Sequence, residues 1–417
     1  MMPHFFESER VMAETPEGES PETWENATRL VRGGTMRSPY GETAEALYLT
    51  QSFVYDSAES ANARFAGDEP GFVYSRFANP TVKMFEDRLA LLEGAEACRA
   101  QASGMASIHM ALMGLVRAGD HILAGQALFG SNRWILNNWA PRFGVETTMV
   151  PGPDVAAWRA AVRPNTKVFL IETPANPLLE ITDIAAVSAI AREIGATVVV
   201  DNVFASPILQ KPLQLGADVV VYSATKHIDG QGRVLGGAIL GKTALLDEAY
   251  RDPIRHTGPA LSPFNAWVLL NGLVTLDLRV RRQSETAAAL ADLIAAHPKV
   301  RACRYPGRPD HPQYEIARRQ MTGGGNAMLA GGTLIAFDLG DQAAAFNMLN
   351  RLEIVDISNN LGDARSMATH PTTTTHRSMT EEQRLEIGLT AGWVRLSVGL
   401  EGAGDLARDI ERALDAA

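Results

Sequence analysis

Short apolar runs alternate with amphipathic stretches along the chain from about residue 80 onward. The apolar runs predict buried strands at 96–100, 121–125, 145–150, 167–172, 197–201, 218–222 and 236–241. Apolar residues at helical spacing predict helices at 81–94, 105–116, 131–140 and 183–195. Continuous apolar strands separated by helices indicate an α/β protein whose large domain has a mainly parallel sheet, covered on both faces.

The pattern changes beyond these strands. A long helical stretch at 262–296 is predicted to join two lobes, and 300–417 indicates a smaller α+β domain. The predicted elements of this second lobe are strands at 331–339 and 393–400, a helix at 342–352 and a terminal helix. We therefore assign 76–280 to a large domain and 281–417 to a C-terminal small domain.

The first 75 residues form a third region with a different composition. Through about residue 70 there is little regular periodicity, and Gly, Pro, Glu, Ser and Thr are common. This composition predicts an extended arm that is disordered at its tip. Because an arm of this length needs support, we expect it to contact a neighbouring subunit.

Composition narrows the class of protein. The formal net charge of the 417 residues is −10, which argues against a nucleic-acid partner. Two distant cysteines, Cys98 and Cys303, indicate a reducing compartment and exclude a zinc site built from close cysteine pairs, so no metal is expected. The polar N-terminus lacks a secretory signal, and no apolar run reaches the roughly 18 residues of a membrane span. These features predict a cytoplasmic protein that binds no membrane.

Polar residues follow several of the predicted strands. Those just beyond the strand ends, or at the start of the helix at 105–116, are Ser103, Gly104, Met105, Glu172, Asn176, Asp201, Asn202, Ser223, Thr225 and Lys226. In an open parallel sheet, ligands bind beyond the carboxyl ends of the strands. We therefore expect these residues to converge on one ligand site.

The residue types match one cofactor. A helix start at SGMA, with the hydroxyls of Ser223 and Thr225, suits a phosphate group. Lys226 can form a Schiff base with an aldehyde, and Asp201 can keep a heterocyclic nitrogen protonated. Phosphate, aldehyde and protonated ring nitrogen together describe pyridoxal 5′-phosphate.

Each signal alone has an ordinary explanation. A lysine after a strand is usually a solvated residue, Asp201 could be a strand-end polar residue, and SGMA is a common helix start. The glycines of DGQGRVLGG fit neither the dinucleotide nor the phosphate-loop pattern, which argues against a nicotinamide dehydrogenase. The combination in this chain order favours the cofactor, and it argues against a non-catalytic scaffold of the same fold.

The motifs SGMA, ETPANP, DNVFASP, SATKH and VRLSVGLE occur in this order. In them the chain resembles the pyridoxal-phosphate enzymes of cysteine and methionine metabolism, over about residues 35–415. That family includes cystathionine synthases and lyases, methionine γ-lyase and homoserine-ester sulfhydrylases. The resemblance implies a fold-type I transferase, similar to aspartate aminotransferase, in which Lys226 holds the cofactor and Asp201 pairs with its ring nitrogen.

The resemblance also implies roles for other residues. Ser103, Gly104, Met105, Ser223 and Thr225 would hold the phosphate. Tyr74 and Arg76 would reach the same phosphate from a neighbouring subunit, which implies a homodimer that pairs into a tetramer. Asn176 would contact the phenolic oxygen of the cofactor, while Arg395 and Asn360 would bind the substrate, Arg395 through its α-carboxylate.

The chain departs from many relatives at two places. Phe129 stands where they have a tyrosine stacked on the cofactor ring, and a phenylalanine cannot act as an acid or base. Asn360 begins NLGDA where cystathionine-type relatives tend to have SLG. NLGDA and GQGRVLGG resemble the O-succinylhomoserine sulfhydrylase branch. In that branch Arg233 would meet the distal carboxylate of the ester, with a loop-holding pair to Asp229 as the alternative.

The resemblance thus implies a γ-replacement in which O-succinylhomoserine and sulfide give homocysteine and succinate. A methionine γ-lyase, or a cystathionine γ-synthase or β-lyase, is the alternative within the family. The residues leave open whether the ester is succinyl or acetyl, and whether sulfide or cysteine is the nucleophile.

Overall fold

The computed structural model describes residues 20–417, and the predicted disordered tip falls on residues 1–19, outside the described part. The helices are α1 (Asn26–Arg32), α2 (Ala58–Ala66), α3 (Pro80–Glu93), α4 (Gly104–Met113), α5 (Gly130–Trp134), α6 (Val155–Ala160), α7 (Ile184–Glu193), α8 (Ser206–Leu209), α9 (Thr243–Thr257), α10 (Pro263–Val274), α11 (Leu276–Ala296), α12 (Tyr314–Gln320), α13 (Gln342–Leu349), α14 (Glu381–Glu386) and α15 (Ala403–Asp415). The strands are β1 (Ala97–Gln101), β2 (His121–Gly125), β3 (Glu146–Val150), β4 (Thr166–Glu172), β5 (Thr197–Asp201), β6 (Val219–Ser223), β7 (Gly237–Gly241), β8 (Ala302–Arg304), β9 (Leu334–Asp338), β10 (Asp356–Ile357), β11 (Met367–Thr369) and β12 (Trp393–Ser397).

The large domain is built on a seven-stranded sheet in the order β1-β7-β6-β5-β4-β2-β3. Strands β2 to β6 are mutually parallel, whereas β7 runs antiparallel to both β6 and β1. All seven predicted strands are therefore present, and the prediction of a mainly parallel α/β sheet is confirmed.

Both faces of this sheet are covered. Alternate residues of β5 and β6 pack on opposite sides, so Val199 joins a core with α4 and α9, whereas Val198 and Val200 join a core with α6 and α7. These three valines are at most 1% exposed. Because side chains on both faces of these strands are buried, apolar residues occur at successive positions and each strand is a continuous apolar run in the sequence.

The helices of the large domain differ from the predictions in three places. The long helical stretch expected at 262–296 consists of two helices, α10 and α11, because Thr275 leaves the helical conformation with φ −109° and ψ 7°. Helix α9 was not predicted, since its charged sequence contains Pro253 and buries only Leu246 and Tyr250. The helix expected at 131–140 continues from α5 as a π-helical turn and then a 3₁₀ turn.

Helix α11 links the two domains. The boundary expected at residue 280 lies within this helix, whose first turns pack in the large domain through Leu276 and Val280. Its later turns pack in the small-domain core through Leu290 and Ile294.

The small domain holds a five-stranded sheet, β10-β11-β12-β9-β8, in which every pair except β10 with β11 is antiparallel.

The described part of the arm contains two short helices, α1 and α2, that its sequence did not predict. The arm is tied to its own chain at several points; for example, the Arg88 side chain donates to the Gly33 carbonyl over 2.8 Å. Between these points it exposes large apolar side chains, with Tyr40 90% and Val54 93% exposed.

Within residues 20–417, no helix is long and apolar enough to cross a membrane, and no cluster of three metal-ligating side chains occurs.

Candidate active site

A cavity of about 250 Å³ lies beyond the carboxyl ends of β4, β5 and β6 and against the start of α4. Ten of the residues that were predicted to bind cofactor or substrate line it, together with Glu172, which was expected only to lie near this site. The ten are Ser103, Gly104, Met105, Phe129, Asn176, Asp201, Ser223, Thr225, Lys226 and Arg395. Asn202 was also expected there but does not line the cavity, because its buried side-chain amide donates to the Gln210 carbonyl over 2.9 Å. The fold therefore brings most of the predicted site together.

The start of α4 and the end of β6 form a cradle of N–H and O–H donors. Ser103 caps the helix, and its side chain accepts the Ala106 N–H over 3.1 Å. A Cβ atom on Gly104 would lie 2.5 Å from the Ser223 Cβ, so only glycine allows this approach. Backbone N–H groups at the helix start, beside the Ser223 hydroxyl, are suited to a phosphate. The Thr225 hydroxyl lines the same cavity, and it donates to the Gly236 carbonyl over 3.3 Å.

Lys226 lies in the turn after β6. Its backbone is fixed by two hydrogen bonds, to the Ser223 carbonyl over 3.2 Å and from the Gly230 N–H over 2.8 Å. The side-chain Nζ donates to the Asn360 Oδ1 over 2.6 Å. Burial, with a smaller contribution from the positive charge of Arg395, lowers the pKa of Lys226 to about 8. About a tenth of this amine is therefore neutral, and nucleophilic, at pH 7, which is roughly two hundredfold more than for an ordinary lysine.

Two carboxyl groups lie side by side in the lining of the cavity. Glu172 and Asp201 are opposite each other in the β4–β5 register, and both are buried. The Asn132 side-chain amide donates to both, over 3.2 Å to Glu172 and 3.1 Å to Asp201. Burial raises the pKa of each carboxyl, and the neighbouring Asp201 adds to the shift of Glu172.

Arg395 projects from β12 of the small domain into the same cavity. Its Nη1 donates to the Asn176 Oδ1 over 2.9 Å, and its Nη2 donates to the Asn359 carbonyl over 2.9 Å. The guanidinium carbon also lies 5.8 Å from the centre of the Phe204 ring. Arg395 Nε is buried and has no hydrogen-bond partner in the described structure. A buried guanidinium with unused donor capacity is suited to a carboxylate ligand.

Tyr74 and Arg76 lie outside the cavity of their own chain. The Arg76 guanidinium packs over the rings of Tyr74 and Phe77, at 5.4 and 4.8 Å, and donates to the Arg255 carbonyl. Neither residue lines the cavity, so their predicted contact with a neighbour's phosphate stays a prediction.

Arg233 lies beside a second cavity of about 370 Å³, which Lys226 and Asn360 also line. Its Nε donates to the Asp229 Oδ1 over 2.8 Å, and its Nη2 donates to the Asp229 carbonyl over 3.1 Å. The loop-holding pair considered as the alternative is thus present. Arg233 Nη1 makes no hydrogen bond within residues 20–417, so a contact with substrate stays a prediction.

Sequence reasoning gave no role to several residues of this site. Glu172 was noticed only as a polar residue after a strand, and Asn132 and Phe204 were not noticed. The Asn132 side chain contacts Glu172 and Asp201, which lie 40 and 69 positions later in the sequence. No local pattern signals such a contact, whereas the position of Glu172 at a strand end did point to the site.

The donors fit pyridoxal phosphate. The two adjacent buried carboxyls would be stabilised as anions by a nearby cation, and a protonated ring nitrogen would supply one. The amine of Lys226 and the phosphate cradle line the same cavity, and the Phe129 ring offers an apolar surface for stacking. The fold and this site define a fold-type I pyridoxal-phosphate enzyme. The chain belongs to the family of Cys/Met metabolism PLP-dependent enzymes, whose model matches residues 27–415.

Individual relatives agree with this assignment. The chain is 51% identical to the O-succinylhomoserine sulfhydrylase of Mycobacterium tuberculosis, over 94% of this chain and 97% of that protein. It is 42% identical to the L-methionine gamma-lyase of Pseudomonas putida, over 94% of this chain and 97% of that protein. A solved structure of a putative O-acetylhomoserine (thiol)-lyase from Campylobacter jejuni, which contains N′-pyridoxyl-lysine-5′-monophosphate, matches with a TM-score of 0.89 and 27% identity, over 94% of this chain and 100% of that chain.

Proposed function

We propose that the chain catalyses a γ-replacement, in which O-succinylhomoserine and sulfide give homocysteine and succinate. The observation that carries this proposal is the similarity to the Mycobacterium tuberculosis sulfhydrylase, which extends over nearly the whole chain and exceeds that to the methionine gamma-lyase. Phe129 adds support, because its ring lines the cavity without a hydroxyl that could serve a lyase as acid or base.

The cofactor, when bound, supplies an aldehyde for an amine and a ring that withdraws electrons from the substrate's α-carbon. In this proposal Lys226 holds the aldehyde, while the start of α4, Ser223 and Thr225 hold the phosphate. Asp201 would accept a hydrogen bond from the protonated ring nitrogen, and Phe129 would stack on the ring. Asn176 contacts the phenolic oxygen through its amide NH₂, since its Oδ1 is engaged by Arg395.

The remaining steps are assigned to two side chains. Arg395 binds the α-carboxylate of the substrate, because Asn176 and the Asn359 carbonyl hold its guanidinium in one orientation. Lys226, as a free amine, would take the proton from the α-carbon of the substrate and then move protons at the β-carbon. The γ-ester then leaves as succinate and sulfide adds at the γ-carbon. Asn360 holds the free Lys226 amine near these carbons through the 2.6 Å contact.

We also propose that the active unit is a cytoplasmic homodimer that pairs into a tetramer. Tyr74 and Arg76 would complete the phosphate site of a neighbouring subunit. The exposed apolar side chains of the arm, including Tyr40, Leu49 and Val54, support burial against a partner. The free thiols of Cys98 and Cys303 support a reducing compartment.

The test is a substrate panel with the purified enzyme. O-succinylhomoserine and O-acetylhomoserine are each offered with sulfide or with cysteine, and methionine is offered alone. We expect the pair of O-succinylhomoserine and sulfide to have the highest kcat/KM, with homocysteine and succinate identified by mass spectrometry. Faster release of a thiol and ammonia from methionine alone would overturn the proposal in favour of a lyase.

A further inference from the structure

The carboxylate of Glu172 has a hydrogen-bonding role that the proposed reaction does not explain. Glu172 is the last residue of β4 and is 6% exposed. Its Oε2 accepts the Phe129 N–H over 2.7 Å and the Asn132 Nδ2 over 3.2 Å. Its Oε1 accepts the Asn176 N–H over 2.9 Å. One buried side chain therefore receives three N–H donors.

These donors belong to three different functional parts of the site. Phe129 presents the ring beside the cofactor, and Asn132 also donates to Asp201 over 3.1 Å. Asn176 accepts a hydrogen bond from Arg395 over 2.9 Å. Glu172 thus bonds directly to the backbone of Phe129. It is linked to Asp201 through Asn132, and to Arg395 through Asn176.

The donor pattern favours an ionised carboxylate. Because both oxygens of Glu172 accept N–H groups, a proton on either one would weaken the hydrogen bonds that this oxygen accepts. Burial and the neighbouring Asp201 raise the pKa of Glu172 to about 8, although these hydrogen bonds lower it, so a nearby cation is needed to keep the carboxylate ionised at neutral pH. Asn132 satisfies both carboxylates and leaves its own Oδ1 buried without a partner in the described structure. The hydrogen bonds of Asn132 thus hold the two carboxyls side by side, where one nearby cation would favour the ionised form of both.

We propose that Glu172 is a positioning residue that aligns Asp201 through Asn132, and Arg395 through Asn176, and that holds the backbone of Phe129. Glu172 also adds a second negative charge near the ring nitrogen. This inference rests on the proposed function only through the cofactor, and the identity of the ester plays no part in it. The extra charge favours a protonated ring nitrogen, and the protonated ring is the better electron acceptor.

The test compares Glu172→Gln with a matched control, Glu86→Gln. Glutamine keeps the shape of the side chain but must turn its NH₂ group toward one of the N–H donors. Glu86 is a carboxylate of α3 that likewise accepts a backbone N–H, that of Ala100 over 2.7 Å, and it does not line the cavity. For each variant we measure the affinity of the apoprotein for pyridoxal phosphate and the visible absorption spectrum of the holoenzyme. We also measure the rate at which the α-proton of L-alanine exchanges with deuterated water.

We expect Glu172→Gln to weaken cofactor affinity by about tenfold to a hundredfold, as expected for the loss of a buried, charge-assisted interaction. The absorption spectrum should change and α-proton exchange should slow by a similar factor. Thermal unfolding should show a smaller rise in Tm on addition of cofactor than in the wild type. Glu86→Gln should keep the affinity, the spectrum and the exchange rate of the wild type.

An equal fall in Tm for the apo and holo forms, with unchanged affinity and spectrum, would mean that Glu172 is only structural and would overturn the inference. If Glu172→Gln does not fold, Asn132→Ala takes its place, because it leaves the Phe129 and Asn176 bonds to Glu172 intact. An unchanged spectrum and exchange rate in Asn132→Ala would also overturn the inference. None of these readouts uses a homoserine ester, so they stand even if the proposed substrate is wrong.

Discussion

Replacing Arg233 with alanine should change which ester the enzyme prefers. A succinyl ester differs from an acetyl ester by a distal carboxylate, and Arg233 lies beside the cavity that Lys226 and Asn360 also line. Its Nε and Nη2 are engaged by Asp229, which leaves Nη1 for a ligand. We expect Nη1 to donate to the distal carboxylate, a contact that O-acetylhomoserine cannot make.

The size of the effect follows from the exposure of the arginine. A buried hydrogen bond to a charged group contributes about 1.5–3 kcal/mol. The Arg233 side chain is 35% exposed and already paired, so solvent and Asp229 both screen its charge. The lower end of the range applies, about 1.5 kcal/mol, which corresponds to roughly a tenfold loss in kcat/KM for O-succinylhomoserine. The value for O-acetylhomoserine should change by less than about twofold.

The loop should keep its shape in this variant. The backbone N–H of residue 233 donates to the Asp229 Oδ2 over 2.6 Å, and alanine retains that bond. Arg365→Ala is the matched control, because Arg365 donates to the Gln231 carbonyl of the same loop over 3.1 Å and lines neither cavity. Steady-state rates with both esters and sulfide are measured for the wild type and the two variants. An equal loss for both esters in Arg233→Ala would refute this reasoning and leave Arg233 as a residue that holds its loop.

Four further predictions concern the core of the site. Lys226→Ala should lower turnover by at least about 10²–10⁴-fold, and a rate within tenfold of the wild type would contradict its role as base. Asp201→Asn should keep some cofactor but slow α-proton exchange about a hundredfold, measured by NMR in deuterated water. The rate at which the wild-type apoprotein captures cofactor, followed by absorbance, should rise with pH and reach half of its maximum near pH 8, because burial lowers the pKa of Lys226 to about 8; an ordinary lysine would give a midpoint near about pH 10.4. Mixing inactive Lys226→Ala chains with inactive Arg76→Ala chains should restore activity, since each hybrid dimer has one intact site; no recovery after verified exchange would count against the shared site.

Much of the large domain can be read directly from the sequence. The seven strands of the main sheet were predicted because burial on both faces makes each strand a continuous apolar run. Lys226, Asp201 and Ser223 could be grouped because parallel strands end at one edge of a sheet. Helix α9 could not be predicted in this way, because it buries only two side chains and contains Pro253.

What local pattern cannot supply is the partner of each polar side chain. The Arg395 guanidinium meets Asn176 across 219 positions of sequence, and the same amide of Asn132 joins Glu172 and Asp201. Arg233 was expected to act on the substrate or on its loop, and only the folded chain revealed that Asp229 holds two of its three side-chain nitrogens. Apolar periodicity is set by whether a residue is buried, which each segment records in its own sequence. Hydrogen bonds between distant segments depend on how the elements pack, so the sequence determined the sheet and its reactive lysine, and the tertiary structure decided which donors and acceptors surround them.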